Sequence, residues 1–205
     1  MMHRSKILIF LGIVLVLCSA GLFSHNMYVD YESRIKEEKI ADDLIKKMGD
    51  NLNDDSAIDV DGTKYIGLLE IPKINVTLAV SRDYSFEQMS ESLCRYSGSI
   101  EDKNIIICGH NYKSFLENLK DVFDNDVLYF IDVSGKRTKY TVVETQYIDG
   151  NDSNKLYTDE ENWDLTVFTC NYSGYMRYLV RCKMAENKLK PSRLREGWAC
   201  WKSQF

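Results

Sequence analysis

Residues 7–23 (ILIFLGIVLVLCSAGLF) carry no charged side chain, and His3, Arg4 and Lys6 stand just before them. At about 1.5 Å per helical residue, such a run is near the lower limit for crossing a bilayer core. The basic flank predicts a cytoplasmic N-terminus and an exported remainder. We read the run as an uncleaved signal anchor. A cleavable signal peptide usually has a shorter apolar region. Lipoprotein processing at Cys18 wants a small residue where Leu17 stands. A buried core helix fits poorly with a run that is apolar all round and terminal.

Residues 29–61 are rich in charge, and Ile35, Ile40, Leu44 and Met48 recur at near-helical spacing. Glu and Lys at three- and four-residue steps support a solvated helix. The pattern predicts a juxtamembrane helix over 29–49 and an acidic linker over 50–63. Together they read as a spacer that holds a domain off the membrane. The linker lacks the ordered carboxylate spacing of a calcium loop.

From Lys64 the pattern turns to short β-type runs. Strands are predicted at 65–71 and 74–80, parted by Pro72-Lys73, and a short helix at 86–93 behind the cap residue Ser85. Residues 104–108 (NIIIC) predict a buried strand that ends at Gly109-His110. A second short helix is predicted at 114–122. Strands at 127–133 and 138–148 flank Ser134-Gly135-Lys136, a hairpin signal. Residues 150–162 are loop-like, and strands at 165–169 and 177–181 flank residues 171–174. Six to eight strands with few helices predict a mainly β fold, a closed or nearly closed barrel. The expected organisation is a tip and anchor over 1–28, helix and linker over 29–63, a barrel over 64–183 and a tail over 184–205. That tail holds Trp198 and Trp201, and the pattern assigns it no role.

The chain has 205 residues and a net charge of −5. This length allows one ordinary domain plus accessories. The acidic balance argues against nucleic acid as a partner. Of the three histidines, His3 lies on the cytoplasmic side and His25 at the membrane edge, which leaves His110 as the one imidazole of the exported domain. Any exported acid–base step that uses histidine must use it. The six cysteines, at 18, 94, 108, 170, 182 and 200, form no CxxC pair and no zinc pattern. Without Cys18 their number is odd, so at least one is free or bonded to another molecule. The sequence calls for no cofactor and no metal.

Cys170 ends the strand Leu165-Thr166-Val167-Phe168-Thr169, and Arg177 begins the next. If the two strands pair antiparallel, both residues lie at one end of the hairpin. A thiolate there can attack a carbonyl, and the guanidinium can bind the oxyanion. A buried cysteine beside a surface arginine is the bland alternative. No histidine follows Cys170, which excludes peptidases of Cys-then-His order.

In these features the chain resembles the sortases, cysteine transpeptidases of Gram-positive bacteria. Their TLxTC segment matches Thr166-Val167-Phe168-Thr169-Cys170, with Val167 in place of Leu. Gly109-His110, Arg177 and Ile71-Pro72-Lys73-Ile74 match further elements of the family, and the likeness covers about residues 64–183. The resemblance implies an eight-stranded sortase-type β-barrel behind an N-terminal transmembrane helix. It implies that Cys170 attacks the carbonyl after the threonine of an LPxTG-like sorting signal. His110 is then the acid for the leaving amine and the base for the incoming one. Arg177 stabilises the oxyanion, with Arg181 as the second choice, and Thr169 touches substrate near the nucleophile. The implied partners are secreted proteins with a C-terminal sorting signal, an amine from a peptidoglycan precursor or a pilin lysine, and the membrane that holds the first helix. The implied location is the cell membrane, single-pass, with the catalytic domain outside. The short 147–164 segment leaves the class open between B and the D or E types. Glu160 and Glu161 suggest no calcium site beyond a solvated loop. Two rival functions remain: a catalytically silent exported binding module, and a hydrolytic cysteine peptidase on the same barrel.

Overall fold

The computed structural model describes residues 2–49, 52, 56–111, 115–157, 163–170 and 175–185. Expectations for Glu160, Glu161, the loop at 171–174 and the tail with its two tryptophans lie outside these residues.

The apolar run and the charged stretch form one unbroken helix, α1 (Met2–Lys47), because no glycine pair or proline interrupts residues 24–46. Its 46 residues make it about 70 Å long. The apolar window has no buried residue, and α1 is long and apolar enough there to cross a membrane.

Among the described residues nine strands follow: β1 (Ile58–Val60), β2 (Thr63–Ile71), β3 (Val76–Ser81), β4 (Leu93–Ser97), β5 (Ile105–Gly109), β6 (Val127–Asp132), β7 (Arg137–Asp149), β8 (Leu165–Cys170) and β9 (Met176–Met184). Eight of them run in the order β2-β3-β4-β5-β8-β9-β7-β6, and β2 pairs with β6 to close the barrel, with β1 added beside β2. The barrel predicted from sequence is thus present, with eight strands. Closure removes the exposed edges of an open sheet. The interior is filled by alternate side chains such as Leu69, Val80, Ile107, Phe130, Val167 and Val180.

Two predicted helices are shorter than their sequence pattern. Ser85 does cap, its Oγ accepting the Gln88 N–H at 2.9 Å. The turn it starts is a 3-10 segment over Gln88–Ser90, and Leu93 belongs to β4. Strand pairing of Leu93 with Val80 ends the helix early. The second is a 3-10 segment over Glu117–Asp121.

The spacer reading of the charged helix does not hold over its last turns. Ile40, Ala41 and Leu44 are buried against Val60, Tyr65, Leu68, Ala79 and Ile131 on the outer face of the barrel. Burial of each large apolar side chain contributes about 1.5–3 kcal/mol. Glu37 is carried into the same contact and is almost fully buried. Its carboxyl is pushed well up by burial, against a downward pull from the Ala79 backbone. Lys36 pairs with Glu91, and Lys47 donates to the Asp59 carbonyl at 2.6 Å. The last turns of α1 and the barrel are packed together.

Candidate active site

Two strands from distant parts of the chain bring the chemistry together. β5 and β8 lie parallel, and Gly109 pairs with Thr169. His110 follows Gly109 and Cys170 follows Thr169, so both residues stand at the same end of the sheet. β8 and β9 are antiparallel, and Cys170 pairs with Arg177. The hairpin expectation from sequence therefore gains a third strand that delivers the histidine.

Alternation puts these groups on one face. Ile106, Cys108, Phe168 and Leu179 pack on the outer side of the barrel wall. Residues 110, 170 and 177 continue those rows at period two. Thr169 falls on the opposite side and is buried, with its Oγ1 donating to the Gly109 carbonyl at 2.9 Å. Sequence expected Thr169 at the substrate. Its hydroxyl bridges the ends of β5 and β8.

Gly109 is glycine for lack of room. A Cβ there meets Leu93 Cδ2 at 2.4 Å and Leu116 Cδ1 at 3.1 Å. The Leu116 N–H donates to the His110 carbonyl at 3.4 Å, which ties the loop after β5 back to the site. The imidazole is half-buried, and burial draws its pKa below the usual histidine value. The ring of Phe86 meets it edge-to-face, with centroids 5.5 Å apart and planes at 87°.

Among the described cysteines of the barrel, only Cys170 is partly open to solvent. Cys94, Cys108 and Cys182 are buried and free. Burial raises all three thiols above the usual value, so they are poor thiolates. Cys108 is raised further by its thiol neighbours Cys94 and Cys170, while Arg177 pulls it down. The disulfide framework that six cysteines suggest is absent among the described residues.

Arg177 has its guanidinium carbon 5.6 Å from the Phe168 ring centroid. Its Nη1 is buried, and no described residue accepts from it. Burying a cationic donor without an acceptor is costly. The second choice, Arg181, is separated from the thiol. It sits opposite Thr166, donates to Glu144 Oε2 at 3.2 Å and to the Lys155 carbonyl at 2.6 Å, and stacks 5.4 Å from the Trp163 ring. Those contacts link β9 to β7 and to the short helix α2 (Asn154–Tyr157).

Sequence reasoning missed the aromatic wall beside Arg177. Tyr96 of β4 meets Phe168 at 5.4 Å and Tyr84 at 5.2 Å, and lies 6.4 Å from Tyr157. These aromatics are scattered singly through polar segments, so no local pattern announces them.

The sequence profile of the sortase domain matches residues 69–185, more than half of the chain. This chain belongs to the sortase family. Membership makes it a sortase-type cysteine transpeptidase, in accord with the thiol, imidazole and guanidinium at one end of the barrel. Solved structures with the same fold include sortase C of Streptococcus pneumoniae, at 17% identity and a TM-score of 0.55, covering 82% of this chain and 92% of that one. Sortase A of Listeria monocytogenes aligns at 18% identity and a TM-score of 0.53, over 63% of this chain and 90% of that one. Sortase D5 of Clostridium perfringens, titled a transpeptidase, aligns at 16% and 0.53, over 73% of this sortase and 89% of its own chain. Comparison with curated protein sequences gives no match.

Proposed function

We propose that this sortase is held in the cell membrane by α1 and cleaves an LPxTG-like sorting signal outside the cell, joining the released acyl group to an amine. Cys170 Sγ attacks the carbonyl carbon after the threonine of the signal. The carbonyl oxygen takes the negative charge and receives a hydrogen bond from the Arg177 guanidinium. His110 donates its proton to the leaving amine as the C–N bond breaks, which leaves a thioester on Cys170. An amine of a peptidoglycan precursor or a pilin lysine then attacks the thioester. His110 takes a proton from that amine, and the thiol is released.

The observation that carries this reading is the strand register: Arg177 pairs directly with Cys170, whereas Arg181 pairs with Thr166, four residues back along β8. Parallel pairing of β5 with β8, in register at Gly109 and Thr169, supports the role of His110.

The test uses full-length protein in detergent with a panel of sorting peptides and candidate amines, and reads products by mass spectrometry. Cys170→Ala is expected to abolish cleavage, and Cys94→Ala to retain it per folded molecule. Equal activity in the two variants refutes the assignment. Free carboxylate as the sole product, at saturating amine, makes the enzyme a hydrolytic peptidase instead.

A further inference from the structure

We propose that Phe86 is a positioning residue of this sortase: its ring, set edge-to-face on His110, holds the imidazole beside Cys170 and screens it from water. The inference rests on the reading of His110 as the acid and base given above.

Phe86 sits in the segment between β3 and β4. The backbone around it is fixed by groups other than its own ring. The Arg82 N–H donates to the Lys64 carbonyl at 2.7 Å, where the chain leaves β3. Ser85 accepts from Gln88, and the Met89 N–H returns to the Ser85 carbonyl at 3.0 Å. Met89 is buried with Cys94, Cys108 and Phe168 on the catalytic face. Gln88 donates to Ser92 Oγ at 2.9 Å and accepts from Thr63 Oγ1 at 3.3 Å. These bonds leave Phe86 projecting from a held turn.

The ring itself is 74% exposed, so it adds little to the core. Single exposed aromatics are common and need no special cause. Phe86 differs in what its buried edge touches. That contact is with the one histidine of the exported domain, at 5.5 Å and nearly perpendicular. An edge-to-face pair at this spacing favours one ring orientation over others. For His110 the contact restricts the plane that the imidazole takes. His110 lies outside the strand ladder, so β5 hydrogen bonding alone does not set its side-chain rotamer.

Cys170 and Arg177 pair with each other at the β8–β9 end. On the Phe86 segment, Arg82 pairs with Asp83 and Glu91 with Lys36, while Glu87 points from an exposed position. Replacing Phe86 leaves every one of these charges in place. A change in His110 titration then reports loss of the ring, in the direction of greater hydration.

The experiment compares full-length wild type, Phe86→Ala and Phe86→Tyr in detergent, with kcat and KM for a sorting peptide and amine measured against pH. Phe86→Ala is expected to lower kcat roughly 3- to 10-fold with KM unchanged. The histidine limb of its pH profile is expected to move up toward the ordinary value. Phe86→Tyr, which keeps the ring, is expected to restore both. A raised KM at unchanged kcat makes the ring a wall of the substrate groove and overturns the proposal, as does no change in either constant. A second arm needs no turnover: NMR titration of the His110 ring protons in a Cys170→Ala background, with Phe86→Ala added and His110→Gln used for assignment. Loss of the ring-current shift and a higher midpoint are expected. Unchanged signals overturn the contact, whether or not the wild type cleaves the peptide. A wild type that cleaves nothing while these signals move refutes the function and leaves the contact standing.

Discussion

Replacing Arg177 with methionine separates what the residue does for the reaction from what it does for the fold. Met keeps an unbranched stem that can lie on Phe168 but removes the guanidinium. In the folded chain Nη1 is buried without an acceptor among the described residues. Holding such a donor away from water costs about 1–3 kcal/mol. The cation over the Phe168 ring, 5.6 Å from its centroid, returns about 0.5–1 kcal/mol of that. The balance is a cost of zero to about 2 kcal/mol, which Arg177→Met relieves. The variant is therefore expected to be as stable as wild type, or more so by up to that amount. Its turnover should fall by about 10²–10³, the usual effect of removing one oxyanion donor.

Stability is read from urea unfolding of the full chain in detergent, followed by the near-ultraviolet signal of the barrel aromatics. Activity is read as kcat per folded molecule with a sorting peptide. A variant destabilised by more than about 1 kcal/mol, with kcat within tenfold of wild type, refutes the reasoning. Arg177 then belongs to the scaffold and the unsatisfied donor has no catalytic meaning.

Arg181→Ala is expected to do the reverse. It breaks the bond to the Lys155 carbonyl and the pair with Glu144 and leaves kcat per folded molecule within about threefold; urea unfolding should show a loss of about 2–4 kcal/mol, discounted because Glu144 is partly exposed. Glu37 makes stability depend on pH. Burial holds its pKa above the usual 4.5, so the folded chain keeps a proton that the unfolded chain has released. Its contribution is complete below the unfolded value and drains away as pH rises toward the folded one. Glu37→Gln is expected to flatten that fall and to raise the urea midpoint at neutral pH; an unchanged pH slope refutes the burial of the carboxyl.

Much of the barrel is legible along the chain. β2, β5, β8 and β9 are apolar or alternating runs that pack on the barrel interior, and their period survives in any β arrangement. β1 and β4 are not legible. Ile58–Val60 has three residues with an acid in the middle, and Leu93–Ser97 carries Arg95 inside a pattern that also suits a helix. Both become strands because a partner is present, β2 for the first and β3 with β5 for the second. The same competition shortens the helix that follows Ser85. The docking turns of α1 show in the spacing of Ile40 and Leu44, yet spacing does not say whether a surface is waiting for them.

The amino-acid order determined which reactive groups this sortase owns: one imidazole beyond the apolar helix, a thiol at a strand end, and two arginines four residues apart. It also determined the membrane-length apolar run, because hydropathy and helical period are local properties. Tertiary structure made the choices among these groups. It buried Cys94, Cys108 and Cys182 and left Cys170 partly open. It tied Arg181 to Glu144 and Lys155 and paired Arg177 with Cys170. It turned Thr169 inward and brought Phe86 onto His110. These choices depend on contacts between segments distant along the chain, as in the pairing of Gly109 with Thr169, 60 residues apart. Register sets which face a side chain takes and how much water reaches it, and neither quantity is encoded in any short stretch of chain.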